Sequence, residues 1–68
     1  MATLNQKFGE NLRKIRKQKG LSQEELAAKA GLDLTTVNEL ENGNREPMLK
    51  TIVKLANGLE IDNDKLLP

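Results

Sequence analysis

Along the N-terminal part of the chain, apolar residues recur at the three-to-four-residue spacing of one helical stripe: Leu4, Phe8, Leu12 and Ile15. Thr3 can cap that helix through its hydroxyl, and Gly20 can end it. A second apolar pattern follows over about residues 22–30. It opens with a reciprocal capping box, in which the Ser22 hydroxyl accepts from the Glu25 amide and the Glu25 carboxylate returns to Ser22. Leu26, Ala27 and Ala30 form its inward face, and Gly31 stands where a helix commonly ends in the left-handed conformation. Asp33 can cap a third helix over about residues 33–42, with Val37 and Leu40 inward, Leu34 near the start and Asn42-Gly43 at the close. The polar "NREP" reads as a loop before a fourth helix carrying Leu49, Ile52, Val53, Leu55, Ala56 and Leu59. Asp62 can cap a last short helix with Leu66 and Leu67. No stretch alternates with period two, so the pattern predicts an all-α fold: one compact five-helix domain over residues 1–68, without repeats, linkers or low-complexity segments.

Composition narrows what such a bundle can do. A chain of 68 residues buries only ~60% of the surface its unfolded form exposes, so its core must be efficient. There is no cysteine and no histidine, which removes disulfides, thiol nucleophiles, the usual zinc ligands and the commonest general base. The carboxylates show no spacing that implies a shared site. We therefore expect no catalytic residue, no metal site, no cofactor and no small-molecule substrate. The N-terminus "MATLNQKFGE" lacks the apolar segment of a secretory signal, and no apolar run approaches the ~20 residues that span a bilayer. A cytoplasmic protein without a membrane partner is expected.

Charge changes the picture through its placement. The net charge is only +1. Residues 1–32 carry seven basic and three acidic side chains, whereas residues 33–68 carry four basic and seven acidic. Five of the basic groups, Arg13, Lys14, Arg16, Lys17 and Lys19, crowd the end of the first helix, where they complement the negative end of its dipole.

Two short helices joined at a glycine, the second polar on its outer side, describe a helix-turn-helix, the arrangement that lays one helix in the DNA major groove. A plain helical hairpin would need the same residues. The stretches "LRKIRKQKGLSQEELAAKAGL", "VNELENG" and "EPMLKTIVKLANGL" go further. With the GLSQ start and the E-x-G-x-x-x-P close, they resemble the Cro and lambda-repressor-like helix-turn-helix family from about Phe8 to Leu67.

The resemblance implies a DNA-binding transcriptional regulator whose third helix is the recognition helix. It assigns Gln23 to a phosphate beside that helix, and Leu34, Thr35 and Glu39 to base edges, with Thr36 and Asn38 on the flanks. It assigns Asn42, Asn44, Arg45 and Lys50 to the DNA backbone, and pairs Arg16 with Glu41 in an internal salt bridge between the first and third helices. This chain departs from the family pattern at several positions. Leu34 and Glu39 stand where glutamine, arginine, lysine or serine is commoner. Met48 replaces a capping serine or threonine, Glu60 replaces the glycine that ends the fourth helix, and Lys65 replaces a bulky residue. Gly58 could shift the end of that helix instead.

Glu39 has two readings: it accepts from a cytosine amino group, or it pairs with Arg45 at the surface. No lysine or arginine lies three or four residues away on its own helix. The expected function is sequence-specific binding of double-stranded DNA as a homodimer on a palindromic operator. Leu55, Leu66, Leu67 and Met48 are candidates for the dimer surface, with ordinary core as the alternative for the leucines. The rival function is a protein-interaction domain on the same scaffold, favoured by the acidic excess after residue 33. Ending at "KLLP" suits either a free-standing regulator or the N-terminal domain of a longer repressor.

Overall fold

Each of the first three helices begins at a side chain able to accept a hydrogen bond from the helix's own first turn. In the computed structural model, which describes residues 1–68, α1 (Leu4–Gln18) starts at Thr3. The Thr3 hydroxyl accepts from the Gln6 amide at 3.1 Å, and Gln6 Oε1 accepts from the Thr3 amide at 2.9 Å. α2 (Gln23–Ala30) repeats this box, with Ser22 Oγ accepting from the Glu25 amide at 3.0 Å and Glu25 Oε1 from the Ser22 amide at 2.8 Å. α3 (Leu34–Glu41) starts at Asp33, whose Oδ1 accepts from the Thr36 amide at 2.9 Å. α4 (Leu49–Leu59) starts at Met48, which has no acceptor to offer and makes no capping bond.

All four helices end alike, with an amide reaching back five residues: Leu21 to the Arg16 carbonyl, Leu32 to Ala27, Asn44 to Glu39 and Ile61 to Ala56, at 2.9–3.1 Å. Such an ending needs one left-handed residue. Gly20, Gly31 and Gly43 supply it for the first three helices, and Glu60, at φ 58°, supplies it for α4. Leu21, Leu32 and Ile61 then fold onto the core, which locks three of the four endings. The equivalent residue after α3 is the exposed, polar Asn44, so that ending faces water.

The core holds Phe8 and Leu12 from α1, Leu26, Ala27 and Ala30 from α2, Val37 and Leu40 from α3, Leu55, Ala56 and Leu59 from α4, and Leu66. α1 packs on α3, and α2 packs on both α3 and α4. Two helix-interior glycines set the approach distances. A Cβ on Gly9 would meet the backbone carbonyls of Leu40 and Glu41, the latter at 2.7 Å, and one on Gly58 would lie 3.0–3.1 Å from Ala30.

Three expectations are corrected. The bundle has four α-helices, not five: residues Asn63–Leu66 form a single 3₁₀ turn, with the Lys65 amide on the Asp62 carbonyl and the Leu67 amide on Asp64. Asp62 makes no side-chain cap there, and a segment this short cannot recover the cost of nucleating an α-helix. Gly58 does not end α4, because its lack of a side chain serves the contact with Ala30 and the helix runs on to Glu60. Leu4 and Leu49 are 74% and 76% exposed. Each is the first residue of its helix, beyond the edge of the core that the stripe predicts. Of the two readings of Leu55 and Leu66, ordinary core holds, since both are fully buried, whereas Leu67 and Met48 are exposed.

Candidate nucleic-acid interface

The turn at Gly31 sets α2 and α3 at an angle, and an ion pair holds the far end of α3 in place. Arg16, near the end of α1, donates from Nε to Glu41 Oε2 at 2.6 Å and from Nη2 to Glu41 Oε1 at 3.0 Å. Its Nη1 donates to the Leu21 carbonyl at 2.7 Å. The Glu41 side chain is only 1% exposed. The hydrogen bonds that the guanidinium donates to Glu41 raise the Arg16 pKa above its ordinary value, although burial opposes this. One guanidinium thus ties α1, the loop after it and the end of α3, in the internal pairing expected for these two residues.

With that anchor, α3 turns Leu34, Thr35, Asn38 and Asn42 outward, all exposed. Spacing of four places residues 34, 38 and 42 in one row, with Thr35 beside it. Two clusters form among the side chains assigned to DNA. Gln23 lies half-buried at the start of α2. It donates to Glu41 Oε1 at 3.1 Å and accepts from Asn38 Nδ2 at 3.2 Å, while Asn38 Oδ1 accepts from Asn42 Nδ2 at 3.2 Å. In the second cluster, Arg45 folds back over α3 and donates from Nη1 to Thr36 Oγ1 at 3.1 Å. Its Nε lies 3.4 Å from Glu39 Oε1.

The second cluster takes the Arg45 alternative for Glu39. At 3.4 Å the contact is an ion pair rather than a good hydrogen bond, and Glu39 Oε1 has no other partner. The two side chains are 49% and 40% exposed, a setting in which such pairs are worth about 0–1 kcal/mol, so a competing anion can displace Glu39. Asn44 and Lys50 are exposed and join neither cluster. The arrangement therefore offers amide and hydroxyl groups along one helix, with cations at its margin and the amide-rich N-terminus of α2, a natural site for anions, alongside. No helix is long and apolar enough to cross a membrane.

The carboxylates at the helix starts are tuned by their caps. The Ser22 backbone amide, then its hydroxyl, holds the Glu25 carboxyl below the usual range. The Thr36 side chain, then its amide, does the same for Asp33.

Sequence reasoning missed the Gln23–Glu41 and Gln23–Asn38 bonds, because nothing local announces them. It also missed the crossing at Gly9, for which a glycine inside a helical stripe was the available signal.

Residues 12–66 match the family model for the helix-turn-helix, HTH_3. The chain is 43% identical over 60 residues to an uncharacterized HTH-type transcriptional regulator, YqaE, of Bacillus subtilis (88% of this chain, 52% of YqaE). It is 43% identical over 61 residues to the control protein C.MunI of a Mycoplasma species (88% of this chain, 82% of C.MunI). Among solved structures, the restriction-modification controller protein C.AhdI of Aeromonas hydrophila superposes with a TM-score of 0.90 at 46% identity, covering 93% of this chain and 96% of that one. The chain spans about half the length of YqaE and of a second B. subtilis relative, YonR (52% and 56%).

Proposed function

The chain belongs to the Cro and lambda-repressor-like helix-turn-helix family, and on that premise we propose that residues 1–68 are one DNA-binding domain of a transcriptional regulator. It binds double-stranded DNA sequence-specifically, with α3 in the major groove and as a homodimer on a palindromic operator. The observation that carries this reading is the set of exposed polar side chains Thr35, Asn38 and Asn42 along a helix whose far end is pinned by the Arg16–Glu41 pair. The names of the relatives, regulators and controller proteins, support the same function.

In this reading Leu34, Thr35 and Glu39 face base edges, with Thr36 and Asn38 beside them. Leu34 and the Thr35 methyl suit a thymine methyl. Gln23, Asn42, Asn44, Arg45 and Lys50 hold phosphates on either side. A phosphate that draws Arg45 off α3 frees the Glu39 carboxylate to accept from a cytosine amino group. The positive charge that α3 lacks is supplied from the loop behind it and from the start of α4.

Dimerisation is supported by an apolar surface left open in the monomer. Leu4, Pro47, Ile52 and Leu67 line one shallow groove, with Met48 and Leu49 exposed nearby. A second copy covering this surface would set two α3 helices on one face of the duplex, with half-sites about 34–36 Å apart.

Selection of bound sequences from random duplexes, followed by a salt titration on the enriched one, tests the proposal. We expect a palindrome and a log affinity that falls with log salt by about 0.9 per phosphate neutralised. No enriched sequence, or binding that ignores salt, would refute DNA recognition. An enriched half-site bound by one protomer would refute the dimer alone.

A further inference from the structure

The row of amides on α3 has a direction, and a buried carboxylate sets it. An ionised carboxylate only accepts hydrogen bonds. Glu41 takes Arg16 Nε on Oε2 and Arg16 Nη2 on Oε1, the latter at 3.0 Å, and the third donor to its carboxylate is Gln23 Nε2, at 3.1 Å from Oε1. Gln23 must therefore turn its nitrogen toward Glu41 and its oxygen outward, where Oε1 accepts from Asn38 Nδ2 at 3.2 Å. Asn38 in turn must point its nitrogen toward α2 and its oxygen along α3, where Oδ1 accepts from Asn42 Nδ2 at 3.2 Å. Rotating the Gln23 amide by half a turn would set its oxygen against the Glu41 carboxylate, and rotating Asn38 would oppose two oxygens across the gap to Gln23. Asn38 is exposed, and after these bonds it keeps one free N–H on Nδ2 and one free lone pair on Oδ1. One donor and one acceptor on a single amide are what adenine N7 and N6 require in the major groove.

We propose that Asn38 reads one adenine in each half-site through this locked amide, and that Gln23 and Glu41 are positioning residues that fix which way round the A·T pair is accepted. The inference rests on α3 entering the groove. It makes Asn38 a reader rather than a flank, and it gives Gln23 a duty beyond any phosphate contact. An amide free to rotate could follow the adenine when the pair is reversed, whereas a locked one presents donor and acceptor in a single order. Discrimination between A·T and T·A at that position thus traces back to a carboxylate buried beneath the surface.

The test measures affinity for the selected operator and for duplexes with each base pair changed singly, using wild type, Asn38→Ala, Gln23→Met and the combined variant. Thermal melting by circular dichroism, run alongside, establishes that each variant is folded. We expect Asn38→Ala to erase roughly 10- to 100-fold of discrimination between A·T and T·A at one position per half-site. Gln23→Met should lower discrimination at that same position by about threefold or more, and adding it to Asn38→Ala should lower it no further. A Gln23→Met variant that weakens every duplex by one common factor would overturn the inference, since a phosphate contact or a loss of stability acts uniformly. So would an Asn38→Ala variant that keeps every base preference. A wild-type motif that survives both substitutions refutes only the locked amide, whereas failure of wild type to select any sequence refutes the groove reading on which it stands.

Discussion

Replacing Arg16 with alanine removes both guanidinium bonds to Glu41 and the bond to the Leu21 carbonyl. Glu41, 1% exposed, is then left with Gln23 Nε2 as its remaining donor. Breaking a buried pair from one side costs about 3–5 kcal/mol, because the stranded charge keeps its desolvation penalty. The Gln23 bond puts the expected loss near the lower end, at about 3 kcal/mol. A domain of this length has roughly 3–10 kcal/mol in total, so the variant lies close to unfolding. Lys17, one residue on and exposed, sets the contrast, since Lys17→Ala should stay within about 0.5 kcal/mol of wild type. The chain has no tryptophan or tyrosine, so urea unfolding is followed by far-ultraviolet circular dichroism. With a slope of about 1 kcal/mol per molar, Arg16→Ala should lower the midpoint by about 3 M, or be unfolded without urea. The double variant Arg16→Met/Glu41→Leu should recover most of this, because it strands no charge. Equal midpoints for Arg16→Ala and Lys17→Ala would refute the argument.

Three further outcomes follow from the fold. Glu60→Gly should raise the melting temperature by roughly 3–6 °C: relief of a left-handed side chain is worth about 1 kcal/mol or more, and glycine's extra freedom in the unfolded chain offsets part of it. A lower melting temperature would show that no strain is stored at Glu60. Gly9→Ala should destabilise by about 1–3 kcal/mol in urea titration, because α1 must lift off the Leu40 and Glu41 carbonyls; helix propensity alone predicts a gain of about 1 kcal/mol, so a more stable variant contradicts the close approach. Glu25 and Asp33 have depressed folded-state pKa values, so their contribution is present above the usual carboxylate range and is lost as pH falls through the lowered values. Stability measured from about pH 5 downward should therefore decline through and below pH ~4, and Asp33→Asn, which keeps an acceptor but no titrating group, should decline less steeply.

Much of the frame is written in local chemistry and can be read without the fold. Thr3, Ser22 and Asp33 each satisfy an amide three residues on, and Gly20, Gly31 and Gly43 each allow a turn within two residues of a helix end. What sequence could not show depends on a second segment. A glycine inside a helical stripe hints at a close approach, but nothing beside Gly9 or Gly58 says which segment crosses there, and nothing beside Leu4 or Leu49 indicates that the core stops one turn short of them. In the candidate interface, resemblance named the residues but not their grouping. Arg45 bends back to Thr36 because of how the loop after Gly43 leaves α3, and the orientation of Asn38 descends from a carboxylate three residues away in sequence through a glutamine on a different helix. The short last segment reads as a helix because capping and apolar signals are present, and only its length decides against it.

The most direct measurement is to titrate the labelled protein with its selected operator and map the backbone and side-chain amide resonances that move. We expect the largest shifts at Thr35, Asn38 and Asn42 and at the side-chain amide of Gln23, with smaller ones at Asn44, Arg45 and Lys50. Shifts concentrated instead on the exposed α1 residues Arg13, Lys14 and Lys17, with α3 unmoved, would contradict recognition through α3.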